Sequence, residues 1–136
     1  MSTSDRLLRI ALVVFGAIMV LLYPIAVVWP SGWAWHHGAP HDSQYFMMIV
    51  GVYATLGVFL INAARNPAAN VSLIWFAVWS SAVHAAIMAV QSFGHGHMGH
   101  LVGDVPALVL VAVVLAVLMK TSGVERENAH DARVDR

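Results

Sequence analysis

The chain has 136 residues, of which 60% are hydrophobic and only 10% charged. A soluble domain carries about 25% charged residues, so there are too few charges to cover a water-exposed globule, and the composition is that of a membrane protein. Seven Lys and Arg balance seven Asp and Glu, and there is no cysteine. That excludes a global basic field for nucleic acid, and with it disulfides, Cys-ligated zinc, iron–sulfur clusters and thiol nucleophiles.

A spanning helix needs about 20 apolar residues. Four stretches qualify, over roughly residues 10–29, 44–64, 71–92 and 101–119. Their apolar runs are continuous, whereas barrel strands alternate over about ten residues; helices are therefore how this backbone satisfies its hydrogen bonds in lipid. The expected fold is all-α, an antiparallel bundle of four transmembrane helices in a domain over residues 1–120, with a polar cytoplasmic tail over 121–136. The first stretch follows Arg6 and Arg9, but it is longer than a signal-peptide core and lacks an A-x-A site, so it is expected to remain as an anchor. Pro24 is expected to kink it. Asn66-Pro67 ends the second stretch, and Asn70 is placed to cap the third. The tail has almost no apolar periodicity and is expected to be a short helical extension or disordered.

The charges are sorted. Arg6 and Arg9 precede the first stretch, Arg65 lies between the second and third, and Lys120, Arg126, Arg133 and Arg136 follow the fourth. The positive-inside rule then puts both termini and the Arg65 turn in the cytoplasm. Trp29, Trp33 and Trp35 would form an aromatic belt at the outer interface.

The runs Trp29-Pro30-Ser31-Gly32-Trp33, Leu73-Ile74-Trp75-Phe76 with Trp79-Ser80-Ser81, His84-Ala85-Ala86-Ile87-Met88-Ala89-Val90-Gln91 and Gly103-Asp104-Val105-Pro106-Ala107-Leu108 occur in this order. Together they resemble a family of small bacterial four-span membrane proteins classed as a domain of unknown function. The likeness runs from about Leu7 to Met119. It implies a bacterial inner-membrane protein with four helices and supplies no activity to transfer. The outer loops look richer in histidine than the family pattern, so a metal site built on them would be a feature of this member.

Six of the eight histidines fall in the two outer loops: His36, His37 and His41 in the first, and His95, His97 and His100 in the second. Imidazole ligates zinc, copper and nickel, and the glycines around His95-Gly96-His97-Met98-Gly99-His100 let the loop wrap an ion. Met47, Met48 and Met98 offer thioethers suited to Cu(I), and Asp42 offers a carboxylate. The competing reading is a polar connector at the headgroup surface. Asp104 has two readings as well. It can orient His100 as a carboxylate partner of a metal ligand, or it can cap the fourth helix ahead of Pro106.

His84 is the second candidate. It lies seven residues below Gln91, about 10 Å along a helix, in the outer half of the bilayer. Ser80, Ser81 and Gln91 share its face at helical spacing, so a polar stripe is expected to run inward. An ionisable group there is a functional candidate by default, as a proton-responsive site, a quinone hydrogen-bond partner or a metal or haem ligand. The plain alternative is a neutral histidine joining two helices. Ser81, Ala85 and Ala89 on the third helix, and Gly103, Ala107, Ala112 and Ala116 on the fourth, allow close packing within the chain or against a partner.

No nucleophile–base set, phosphate loop or carboxylate pair appears, so nothing supports hydrolytic or phosphoryl chemistry. Two function classes remain. The favoured one is a non-enzymatic accessory or interaction subunit of a membrane complex, or a homo-oligomer, holding copper or zinc at a periplasmic histidine cluster. The alternative is a proton, metal-ion or quinone transport or redox protein built on the His84 stripe. Few polar residues lie in the inner half, which weighs against a through-path.

Overall fold

A computed structural model of the chain describes residues 2–29, 39–95, 103–126 and 128–129, and all regular structure among them is helical. The helices are α1 (Thr3–Val20), α2 (Leu22–Val28), α3 (Gln44–Ala63), α4 (Val71–His95) and α5 (Asp104–Ser122). Short 3₁₀ turns at Pro40–Asp42 and Ala68–Asn70 lead into α3 and α4.

α1 begins well before the apolar stretch. Ser2 caps it by accepting the Asp5 N–H at 3.1 Å, and Asp5 in the first turn complements the helix dipole. The kink expected at Pro24 is a bend of 58° that divides the first stretch into two helices. The break falls at Leu21, one turn before the proline. Pro24 has no N–H for the Val20 carbonyl, and its ring crowds that same carbonyl. The ladder resumes when Ile25 donates to Leu21 O at 2.9 Å.

The α3–α4 turn also differs from expectation. The capping role falls to Asn66, whose Oδ1 accepts the Ala69 N–H at 3.3 Å. Asn70 instead donates its side-chain amide to the Asn66 carbonyl at 2.8 Å. Pro67 follows the capping asparagine, where its missing N–H is harmless and its fixed φ suits the first turn. At the other end of α3, Ser43 accepts the Phe46 N–H at 3.1 Å. α5 starts with Gly103 as its N-cap and Asp104 as its first residue, so Asp104 stands one place inside the position expected for it. The helix ends at Gly123, whose φ of 81° is the left-handed conformation that glycine adopts without strain.

Three helices are long and apolar enough to cross a membrane, or four if the bent pair α1–α2 forms one span. Only 17–33% of the apolar windows in α3, the Ala68–Ser92 segment and α5 is buried within the chain. Val52, Phe59, Phe76, Trp79, Val90 and Leu110 face outward. Such a continuous apolar exterior needs a cover other than water.

α1 packs most extensively on α3, α4 packs on α5, and α1 also contacts α5, while the α3–α4 contact is thin. The closest approach is between Gly16 of α1 and Gly57 of α3, where a Cβ on either residue would meet the other's carbonyl oxygen. One core cluster fills the end of the bundle where α1 begins and α5 ends. There Leu8, Leu12, Leu60, Ile74, Leu115 and Met119 are fully buried. A smaller cluster of Leu22, Ala26, Phe46 and Val50 lies toward the other end.

The described residues after α5, 123–126 and 128–129, lie against the bundle, the helical ones among them in keeping with the expected short helical extension. Val124 is buried in the main core. Glu125 accepts the Trp75 indole N–H at 2.8 Å and pairs with Lys120 at 3.3 Å. Lys120 in turn sits 5.0 Å from the centre of the Trp75 ring, and Asn128 donates to the Ala68 carbonyl at 2.7 Å. Trp75→Phe removes one charge-assisted hydrogen bond and weakens the cation–π contact. It is expected to leave the bundle folded while speeding protease cleavage beyond Gly123, as read by limited proteolysis and mass spectrometry. An unchanged cleavage rate would show that the clasp does not hold this segment.

Candidate functional site

Between the two core clusters the helices separate around a half-enclosed cavity of about 180 Å³. Its wall is almost wholly apolar, built from Phe15, Ile18 and Met19 of α1, Leu22 of α2, Phe46, Ile49 and Tyr53 of α3, His84 of α4, and Ala107, Leu108, Leu110 and Val111 of α5. Ile18 and Leu110 also lie on the outer surface, so the cavity's mouth opens between α1 and α5.

Its polar feature is the pair Tyr53 and His84. The tyrosine hydroxyl lies 2.8 Å from His84 Nδ1, with ring centroids 5.8 Å apart at a tilt of 58°. The bond crosses the thinly packed α3–α4 seam. Tyr53 stands nine residues into α3 and His84 thirteen into α4, about 14 and 20 Å along their axes. The pair therefore lies well inside both helices. His84 was singled out from the sequence, whereas Tyr53 was not. The α3 sequence carries no sign of what its tyrosine faces, because that depends on how α3 and α4 are set against each other.

The expected stripe from His84 to the outer surface is only partly assembled. Ser81 is buried, and Ser80 turns its hydroxyl onto the Ala77 carbonyl at 3.3 Å. Gln91 is exposed and does not line the cavity. Ser92, which was not among the candidates, is buried with its hydroxyl on the Met88 carbonyl at 2.8 Å. Ser80 and Ser92 satisfy their own helix, as hydroxyls in apolar surroundings commonly do. Among the described residues that line the cavity, Tyr53 and His84 carry its polar side-chain chemistry.

The outer histidines are seen only in part. His36, His37, His97 and His100 lie outside the described residues, and His95 is the last residue of α4. His41 is exposed in the 3₁₀ turn with Nε2 3.5 Å from Asp42 Oδ1, while Asp42 Oδ2 accepts the Ala39 N–H at 3.0 Å. Asp42 thus serves the local turn. Among the described residues no group of three His, Cys, Asp or Glu is placed to hold a metal ion. Of the small residues, Ser81, Ala85 and Ala112 are buried inside the chain, Ala89, Ala107 and Ala116 are half-buried, and Gly103 is exposed.

Compared with known proteins, the chain matches the model of a family of unknown function, DUF6632, over residues 2–136. No curated protein and no solved structure matches it.

Proposed function

We propose, for a chain that belongs to the family of unknown function DUF6632, a role as a multi-pass membrane protein that binds a lipid-soluble quinone-type ligand between its helices. The single observation that carries this reading is the apolar cavity with the Tyr53–His84 pair in its wall. A cavity of about 150 Å³ is enough to take up a benzene ring, so the space suits a quinone head group. The mouth between Ile18 and Leu110 lets an isoprenoid chain remain in the lipid. A ring carbonyl can accept from whichever of Tyr53 and His84 carries the hydrogen, and a ring hydroxyl can donate to the other, so the guest can share or replace the Tyr53–His84 hydrogen bond.

The membrane placement is part of the proposal. α1 with α2, α3, α4 and α5 serve as four spans of a bacterial inner membrane, supported by the length and apolar exterior of the helices. Both termini lie in the cytoplasm, supported by the sorting of Arg6, Arg9, Arg65 and Lys120 to one end. The packed core of Leu8, Leu12, Leu60, Ile74, Leu115 and Met119 closes the cytoplasmic half. That supports a binding site entered from the bilayer over a path for protons or metal ions.

Binding is tested on the purified chain by thermal stability with a short-chain quinone. Saturating ligand is expected to raise the midpoint of the native protein. It is expected to leave Ala107→Phe, which fills the cavity, without a rise. Tyr53→Phe is expected to cost about 0.6 kcal/mol, as an interhelical membrane hydrogen bond does, and to weaken quinone binding several-fold. Equal quinone response in all three proteins would refute the site. A stoichiometric protein partner from native membranes, with no quinone response, would favour the accessory role instead.

A further inference from the structure

A second groove lies on the outside of the bundle, between α1 and the C-terminal turn of α3, with a volume of about 460 Å³. Ile10, Val13, Val14 and Ile61 form its apolar walls, and Arg9 and Arg65 stand at its end. The four apolar residues are exposed to the surroundings of the bundle.

Arg9 donates Nε to Asp5 at 3.2 Å, and its Nη1 donates to the Ala64 and Arg65 carbonyls at 3.0 and 2.7 Å. Arg65 is exposed in the turn after α3, and Arg6 is exposed in the first turn of α1. Among the described residues of these two segments, Arg6, Arg9 and Arg65 outnumber Asp5 by two charges.

We infer that this groove binds an anionic phospholipid, with the phosphate at Arg65 and Arg9 and an acyl chain along Ile10, Val13, Val14 and Ile61. The inference rests on the membrane placement proposed above, which puts both arginines at the cytoplasmic headgroup level. Charge complementarity selects the headgroup: the cytoplasmic leaflet carries anionic lipids, and basic pockets between helices on that side are suited to them. The apolar walls select a lipid over a free anion. The Arg65 guanidinium fork also matches phosphate oxygens in pairs, while Arg9, whose Nε and Nη1 are already engaged, adds its charge. A lipid seated here would tie α1 to the end of α3, beside the Arg9 contacts that already join them.

The test uses the full chain in a neutral detergent. Phosphatidylglycerol, phosphatidylcholine with the same acyl chains, and inorganic phosphate are each added, and the unfolding midpoint is read. Phosphatidylglycerol is expected to raise it by about 5 °C, with no rise from the other two. Arg65→Gln changes an exposed side chain, so it is expected to keep the lipid-free midpoint and lose most of the rise. Val14→Trp, which fills the groove, is expected to lose it as well. An equal rise with phosphatidylcholine, or an undiminished rise in both variants, would overturn the site. A rise with phosphate alone would replace the lipid by a simple anion. Alkaline carbonate extraction separates the premises: release of the chain from membranes defeats the membrane placement, whereas retention without a phosphatidylglycerol effect defeats only the groove.

Discussion

Gly57→Leu is expected to unfold or rearrange the bundle, and Gly57→Ala to destabilise it by at least about 1–3 kcal/mol, the range for overpacking a filled interior. A Cβ at Gly57 would stand 2.5 Å from the Gly16 carbonyl oxygen and 3.0 Å from Met19 Cβ and Val20 Cγ2. The first of these is backbone on the opposing helix and cannot swing aside. Relief requires α1 and α3 to move apart along their most extensive contact. Gly16 is constrained in the same way, with 2.7 Å to the Gly57 carbonyl oxygen and 2.8 Å to Ile61 Cγ1. Gly51, also in α3, has open space where a Cβ would go. Gly51→Ala is therefore expected to be neutral or slightly stabilising, since alanine is the better helix former. Reversible denaturation in mixed micelles compares the three variants. A Gly57→Ala protein as stable as Gly51→Ala would disprove the close crossing.

Arg9→Met is expected to cost about 2–3 kcal/mol, a sum of charge-assisted hydrogen bonds at about 1.5–3 kcal/mol each, discounted because the arginine is about a third exposed. The Ala64 and Arg65 carbonyls at the end of α3 have no further turn to bond with, and Arg9 serves both. Its removal also leaves the Asp5 carboxylate, 8% exposed, without its ion-pair partner. Arg9→Lys keeps the charge without the planar fork, so it is expected to recover less than half the loss. Equal stability of the Arg9→Lys and native proteins would show that charge alone matters. The same denaturation assay reads both variants.

Much of the architecture follows from one-dimensional signals. Four apolar stretches become three long helices and a bent pair, as the length and continuity of their apolar runs predict. Pro24 was legible as a disturbance. The size of the bend was not, since it depends on how α2 finds Phe46 and Val50 to pack against. The segment after α5 looked featureless because its periodicity is weak. Its order comes from single long-range bonds from Glu125 to Trp75 and from Asn128 to Ala68.

The site was half legible. His84 stood out because an imidazole inside an apolar helix is costly to leave alone. Tyr53 was hidden, since a tyrosine is unremarkable in such a helix until its neighbour across the seam is known. The glycine crossing was hidden for the same reason: Gly16 and Gly57 acquire meaning only as a pair. The loss of Gln91 from the site reflects depth. It shares helical spacing with His84 but lies above the cavity, where α4 is exposed.

The central claim is that a ring-bearing lipid-soluble ligand enters the cavity and engages the Tyr53–His84 pair. The most direct measurement is the ¹⁵N resonance of the His84 ring in nanodiscs during titration with a short-chain quinone. The account predicts a saturable shift of Nδ1 as the Tyr53 hydrogen bond is shared or displaced, with no such shift in Ala107→Phe. A ring resonance that stays fixed through saturating quinone would contradict it.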